Sequence, residues 1–198
     1  NKRDDMTFKI VKPITITEGM IIDTNIPETD YAVWSSATTY GKGDRVILTS
    51  PYHMIYESTQ ISNINKNPAT EQEWWLEVSP TNRWKPFDDL NSTTASQAGS
   101  ITYKLRPNQI VNAVDYLNLK GDTARLQIDA PTEGIVFDQT IDLRGYIPSA
   151  TWYDYFYSDT INQEQALFNN IPTYRDADYY ITITSTTVAE VGVIILGY

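Results

Sequence analysis

The 198 residues suffice for one large folding unit or for a small one beside a medium one, and a hydrophobic share of 41% with 12% aromatics excludes a chain disordered throughout. A formal net charge of -10 repels phosphate backbones and anionic lipid, so neither nucleic acid nor a membrane surface is expected as a partner. Cysteine is absent, which excludes disulfides, thiolate metal sites and a cysteine nucleophile together.

Residues 1–30 read as an extended N-terminal arm or connector. Phe8-Lys9-Ile10-Val11 is a short apolar run, Pro13-Ile14-Thr15-Ile16-Thr17 follows, and Gly19 breaks the pattern before Met20-Ile21-Ile22. The resulting strands either form an edge of their own domain or lie on a neighbour's sheet in an oligomer. Residues 31–80 read as a small β domain, because Trp34, Tyr40, Tyr52, Tyr56, Trp74 and Trp75 are interleaved with Gly41, Gly43, Pro51 and Pro68. Its clearest strands are 44–48 and 54–58, a hairpin joined across Thr49 to His53. The Asn-rich stretch 61–72 reads as a loop.

Residues 81–198 read as a β-sandwich or jelly roll. The Ser/Thr/Asn/Ala-rich passage 91–100 predicts a surface loop. Residues 100–105 and 123–129 alternate apolar with polar, as half-buried strands do, and 135–143 and 179–187 are dense in β-branched and aromatic residues. A last strand buried on both faces is predicted over 191–196, a strand or short helical turn over 109–119, and a helix over 162–168. The expected fold class is therefore all-β: an extended arm, a small β module and a sandwich, with no internal repeat. The longest apolar run, 188–196, is broken by Glu190 and Gly192 and falls short of the ~20 residues that span a bilayer. No secretory signal pattern is visible, and the opening Asn1 is consistent with a trimmed or processed start.

Catalytic patterns are sparse. His53 is the only histidine, so a Ser-His-Asp triad would have to run through it, and no G-x-S-x-G turn accompanies it; in Pro51-Tyr52-His53 it reads as a turn residue. One histidine without cysteine cannot supply the usual zinc sets. The neighbouring carboxylates Asp4/Asp5, Asp88/Asp89 and Glu71/Glu73 are weak evidence for a glycosidase, whose two acids must converge across a cleft. Asp88-Asp89 with Asn91 lacks the calcium-loop pattern, and no phosphate-binding loop is present. No enzyme activity, metal or cofactor is expected.

The aromatics offer the one binding hypothesis. Sugar rings stack on exposed Trp and Tyr, and Trp34, Tyr40, Trp74 and Trp75 on a small β scaffold are the candidate carbohydrate-binding residues. A unit of this size equally needs large aromatics to have a core, which favours burial for Trp34, Tyr40 and Tyr56. On a strand, Trp74 and Trp75 would face opposite ways, one ring buried and the other partly open. Trp84 and Phe87 either wedge the two units at their junction or begin the core of the second.

Trp34-Ser-Ser-Ala-Thr-Thr-Tyr40-Gly-Lys-Gly43-Asp44-Arg-Val46, then Ile55-Tyr56-Glu-Ser58, Asn67-Pro68 and Trp74-Trp75, resemble small carbohydrate-binding modules of the chitin-binding type. The resemblance covers about a quarter of the chain. It implies a hairpin turned by Gly43-Asp44, with Val46 and Tyr56 facing the core and the late Trp closing it. Over more of the chain, Asn25-Ile-Pro-Glu-Thr-Asp-Tyr-Ala-Val-Trp34, Pro80-Thr-Asn-Arg-Trp84-Lys-Pro-Phe-Asp88, Trp152-Tyr-Asp-Tyr-Phe156, the turn at Pro172 to Ala177 and the glycines Gly192 and Gly197 resemble virion structural proteins of tailed bacteriophages. Lys85-Pro86 departs from the smaller or apolar residues of that pattern. This resemblance implies a virion location in the tail or neck region and a structural role as an adaptor or decoration. Other virion proteins and copies of the same chain are the partners it implies, with host-surface polysaccharide as the alternative ligand.

Overall fold

The computed structural model describes residues 11–145 and 162–198, so most of the Phe8–Val11 run and all of Trp152 to Phe156 lie outside the described residues. The fold is all-β, built of antiparallel sheets.

Period-two alternation makes the larger sheet. Strands β7 (Ala95–Leu105), β9 (Thr123–Ala130) and β12 (Asp178–Val191) bury Ile101, Tyr103, Leu105, Leu126, Ile128, Tyr179, Ile181 and Ile183 on one face. Thr102, Lys104, Gln127 and Tyr180 take the alternate positions, toward the other face. With β1 (Ile21–Thr24) and β10 (Gly134–Asp142) at its edges, the sheet runs in the order β1-β7-β12-β9-β10. A second sheet has the order β11 (Gln165–Asn169), β8 (Ala113–Leu117), β13 (Val193–Gly197), and gives Val114, Tyr116, Phe168, Ile194 and Leu196 to the same continuous core. The two sheets sharing one core form a sandwich.

The N-terminal residues are part of it. Lys12 N donates to Tyr198 O (2.9 Å) and Ile14 N to Leu196 O (2.9 Å), which extends the second sheet beyond β13. Ile14, Ile16, Ile21 and Ile26 all pack on the sandwich core. The small β unit therefore leaves the sandwich between β1 and β7, rather than preceding it. That unit holds a three-stranded sheet of β3 (Arg45–Leu48), β4 (Met54–Ser58) and β6 (Trp75–Pro80), beside the short pair β2 (Thr39–Tyr40) and β5 (Asn63–Ile64). Gly43 at φ 89° turns the chain into β3, and the Asp44 carboxylate accepts from Gly41 N at 2.6 Å. Val46, Tyr56 and Trp75 are buried together as the resemblance implies.

Three local expectations are corrected. The loop predicted over 91–100 is half strand, because β7 begins at Ala95 and its small residues pair with Glu190 and Val191 of β12. The helix predicted over 162–168 is replaced by β11, which pairs residue for residue with β8. The single strand predicted over 191–196 is divided at Gly192, where the chain changes sheets: Gly192 N donates to Leu117 O (3.0 Å), and a Cβ there would stand 2.8 Å from that of Asn118.

Beyond β1, two asparagine amides take over pairing along the β7 edge. Asn25 accepts from Thr102 N (2.9 Å) and donates to Ser100 O (2.8 Å); Asn82 accepts from Ser96 N (2.9 Å) and donates to Ser96 O (2.8 Å). Side-chain amides thus satisfy backbone groups that an open strand edge would offer to another chain.

Candidate functional site

Of the four aromatics proposed for sugar stacking, Tyr40 and Trp75 are core residues. Their rings meet edge to face at 5.2 Å, Trp75 Nε1 donates to Lys66 O (2.8 Å), and Ser35 N donates to Tyr40 Oη (2.8 Å). Trp75 is 2% exposed and Tyr40 8%, so neither presents a ring face, which removes both from a binding surface. Trp34 and Trp74 pack partly buried on the same cluster. The Lys66 ammonium lies 5.3 Å from the centre of the Trp74 ring. The cause is size: a β unit this small uses its large aromatics to exclude water from its own interior.

The aromatic side chains that do come together across units lie at the junction. His53, at φ 53° after the β3–β4 turn, stacks on Trp84 with ring centres 4.4 Å apart and planes 21° from parallel. Trp84 meets Phe87 edge to face at 5.9 Å, and Phe87 meets Tyr103 of β7 at 5.3 Å. This column of four rings runs from the small unit's hairpin into the sandwich core. Trp84 and Phe87 are held on a tight turn: Trp84 N donates to Thr81 O (2.8 Å) and Phe87 N to Trp84 O (2.9 Å), with Pro86 buried inside. Tyr103 Oη donates to Arg83 O (2.7 Å).

Polar contacts fix the column from the side. His53 Nδ1 donates to Glu28 Oε1 (2.9 Å), and Thr81 Oγ1 donates to the same oxygen (2.9 Å). A carboxylate only accepts, so Nδ1 is the donor in this contact. Thr81 N donates to His53 O (2.9 Å), and Asn82 N to Asp30 Oδ1 (2.9 Å). Glu18 Oε2 accepts from Ser50 Oγ (2.8 Å), tying the segment before β1 to the turn that presents His53. A pocket of about 370 Å³ opens here, lined by Glu18, Glu28, Ser50, His53, Arg83 and Trp84. Three segments distant in sequence, 18–30, 49–53 and 81–87, converge on it.

No protein-family model matches the chain, and no curated protein matches it. Among solved structures it is similar to a chitosan-binding module of a chitosanase/glucanase from Paenibacillus sp. IK-5, at 8% identity over 58% of this chain and 83% of that one, with a TM-score of 0.37. A likeness of that size carries no argument about fold or ligand.

Asp88 and Glu71 have structural partners, and Asp4 and Asp5 lie outside the described residues. Asp88 Oδ1 accepts from Leu90 N (2.8 Å) and Oδ2 from Thr93 Oγ1 (2.6 Å), which closes a turn. Glu71 lies 3.8 Å from Lys66 Nζ. Among the described residues, no three His, Asp or Glu side chains gather in a way that could hold a metal ion. Sequence reasoning missed His53 as a junction residue. Its one accessible signal is that a lone histidine follows a Pro-Tyr turn within reach of the aromatic pair Trp84 and Phe87, and its polar partner, Glu28, lies 25 positions away.

Proposed function

We propose that the chain is a non-catalytic structural component of a tailed-phage particle, an adaptor or decoration of the neck, tail or baseplate that assembles with other virion proteins and with copies of itself. The observation that carries this reading is the His53–Trp84–Phe87–Tyr103 column, which couples an inserted β unit to the sandwich without a flexible linker. A particle part under mechanical load benefits from such coupling, because a fixed angle lets many copies repeat in one symmetric arrangement.

Support also comes from the residues that resemble virion proteins. Asn25 and Asn82 cover the β7 edge, Trp84 and Phe87 form the column, and Gly192 and Gly197 occupy crowded crossings of the sandwich. Two of the small unit's aromatics, Tyr40 and Trp75, supply no comparable support for glycan binding there, since both are enclosed.

The test is to purify particles of the phage that encodes the chain, measure the chain's copy number by mass spectrometry, and determine the oligomeric state of the isolated protein by light scattering. Multiple copies per particle and a symmetric oligomer are expected. Absence from the particle together with a monomer in solution contradicts the proposal.

A further inference from the structure

The outer face of the second sheet carries a groove of about 610 Å³, within the range of small-molecule sites. It lies away from the junction and does not depend on the particle assignment. Asp115 of the central strand β8 stands between Leu167 of β11 and Ile195 of β13, its direct cross-strand neighbours. A carboxylate placed between two aliphatic side chains on a sheet face is a costly choice for stability. Its Oδ2 accepts from Gln165 Nε2 (2.8 Å), while Oδ1 is buried with no hydrogen-bond partner. Burial pushes the Asp115 pKa above its ordinary value, against the opposing hydrogen bond from Gln165.

No Lys or Arg among the described residues lies within ion-pair distance of this carboxylate. Lys12, between the lining residues Val11 and Pro13, has its ammonium 5.1 Å from the centre of the Tyr198 ring. Among the described residues, the groove therefore has no positive donor at its floor. Its rim is of another kind: Asn112, Asn169 and the half-exposed Tyr198 line it, so that amides offering both donors and acceptors stand beside an aromatic ring.

We propose that this groove binds an amino sugar with a free amine, within an oligosaccharide, its ammonium on Asp115 and its hydroxyls on the rim amides. Charge complementarity selects an ammonium for Asp115, since a desolvated carboxylate gains most from a charged donor. The amides and Tyr198 favour a sugar over a lysine side chain, whose apolar stem would leave the amides without partners. A rotation of the carboxylate, or displacement of the Gln165 amide, opens an oxygen to the incoming nitrogen.

Calorimetric titration of the full chain in mildly acidic buffer tests this with four probes: a glucosamine hexamer, its N-acetylated counterpart, a glucose hexamer and a lysine-rich peptide. The glucosamine hexamer is expected to bind, and the two neutral sugars at least about tenfold more weakly. Asp115→Asn, with its fold checked by circular dichroism, should weaken the glucosamine hexamer by a similar factor. Leu167→Arg, at a position already 42% exposed, gives a second variant that places a guanidinium beside Asp115 and should abolish binding. Equal binding of the acetylated sugar, unchanged binding in both variants, tighter binding of the peptide, or no binding of any probe would each overturn the proposal.

Discussion

Asp178, at the first position of β12, takes two hydrogen bonds from the Arg106 guanidinium (2.6 and 2.8 Å) and lies 3.0 Å from Lys104 Nζ, while only 8% exposed. Burial pushes its pKa up, but the Arg106 and Lys104 contacts outweigh that and leave it below the ordinary carboxylate value of 3.8. A carboxylate held lower in the fold than in the unfolded chain stabilises the fold above the unfolded value, and that contribution is lost as pH falls through the folded one. Asp178→Ala is therefore expected to cost on the order of 2 kcal/mol at neutral pH, with the difference shrinking in acid; urea midpoints at both conditions check it. Asp115 has the opposite sign, because its folded pKa is raised. Ionising it opposes folding above that pKa, so Asp115→Asn should raise the melting temperature at neutral pH and leave it nearly unchanged in acid, as a thermal melt at each pH would show. Neither role is legible in the sequence. Asp178 and Asp115 both sit in strands with apolar neighbours, and only the pairing of β12 with β7 brings Arg106 within reach of the first, while no Lys or Arg among the described residues reaches the second.

Strands with strong local patterns were legible as elements. The β3–β4 hairpin follows from aromatics interleaved with Gly and Pro, β9 from alternation of apolar with polar residues, and β12 from its dense β-branched and aromatic positions. Elements defined by distant partners were not. The segment 162–168 has helix-forming Gln, Glu and Ala, yet β8 captures Gln165–Asn169 as a strand, because burying Ala166 and Phe168 against the core outweighs local preference. Ala95 opens β7 within a run of small residues that carry no apolar bulk to announce it. The N-terminal attachment depends on Gly197 in a comparable way: a Cβ there would meet Val11 Cγ1 and come within 2.5 Å of Lys12 O. Gly197→Ala should push residues 11–14 off β13 at a cost of about 1–3 kcal/mol, seen as faster amide hydrogen exchange at Lys12 and Ile14 while β9 and β12 stay protected.

At the scale of the whole molecule, the small unit and the sandwich are joined by two chain crossings, the Glu28–His53–Thr81 contacts and the four-ring column. Trp84→Ala removes the central ring of that column and should cost about 3 kcal/mol. Calorimetry should then show the small unit melting apart from the sandwich, with a single transition expected for the wild type. Trp84 and Phe87 were legible as junction candidates from their position between two patterned regions. The insertion of the small unit between β1 and β7 was not, because β1 finds its partner some eighty residues later in the chain. The most direct measurement of the central claim is a cryo-EM map of the intact particle, searched with the small unit and the sandwich as one rigid body. This body should fit without adjustment at repeated, symmetry-related positions of the neck, tail or baseplate; its absence from the particle, or its presence with the two units at differing angles, would contradict the proposed role.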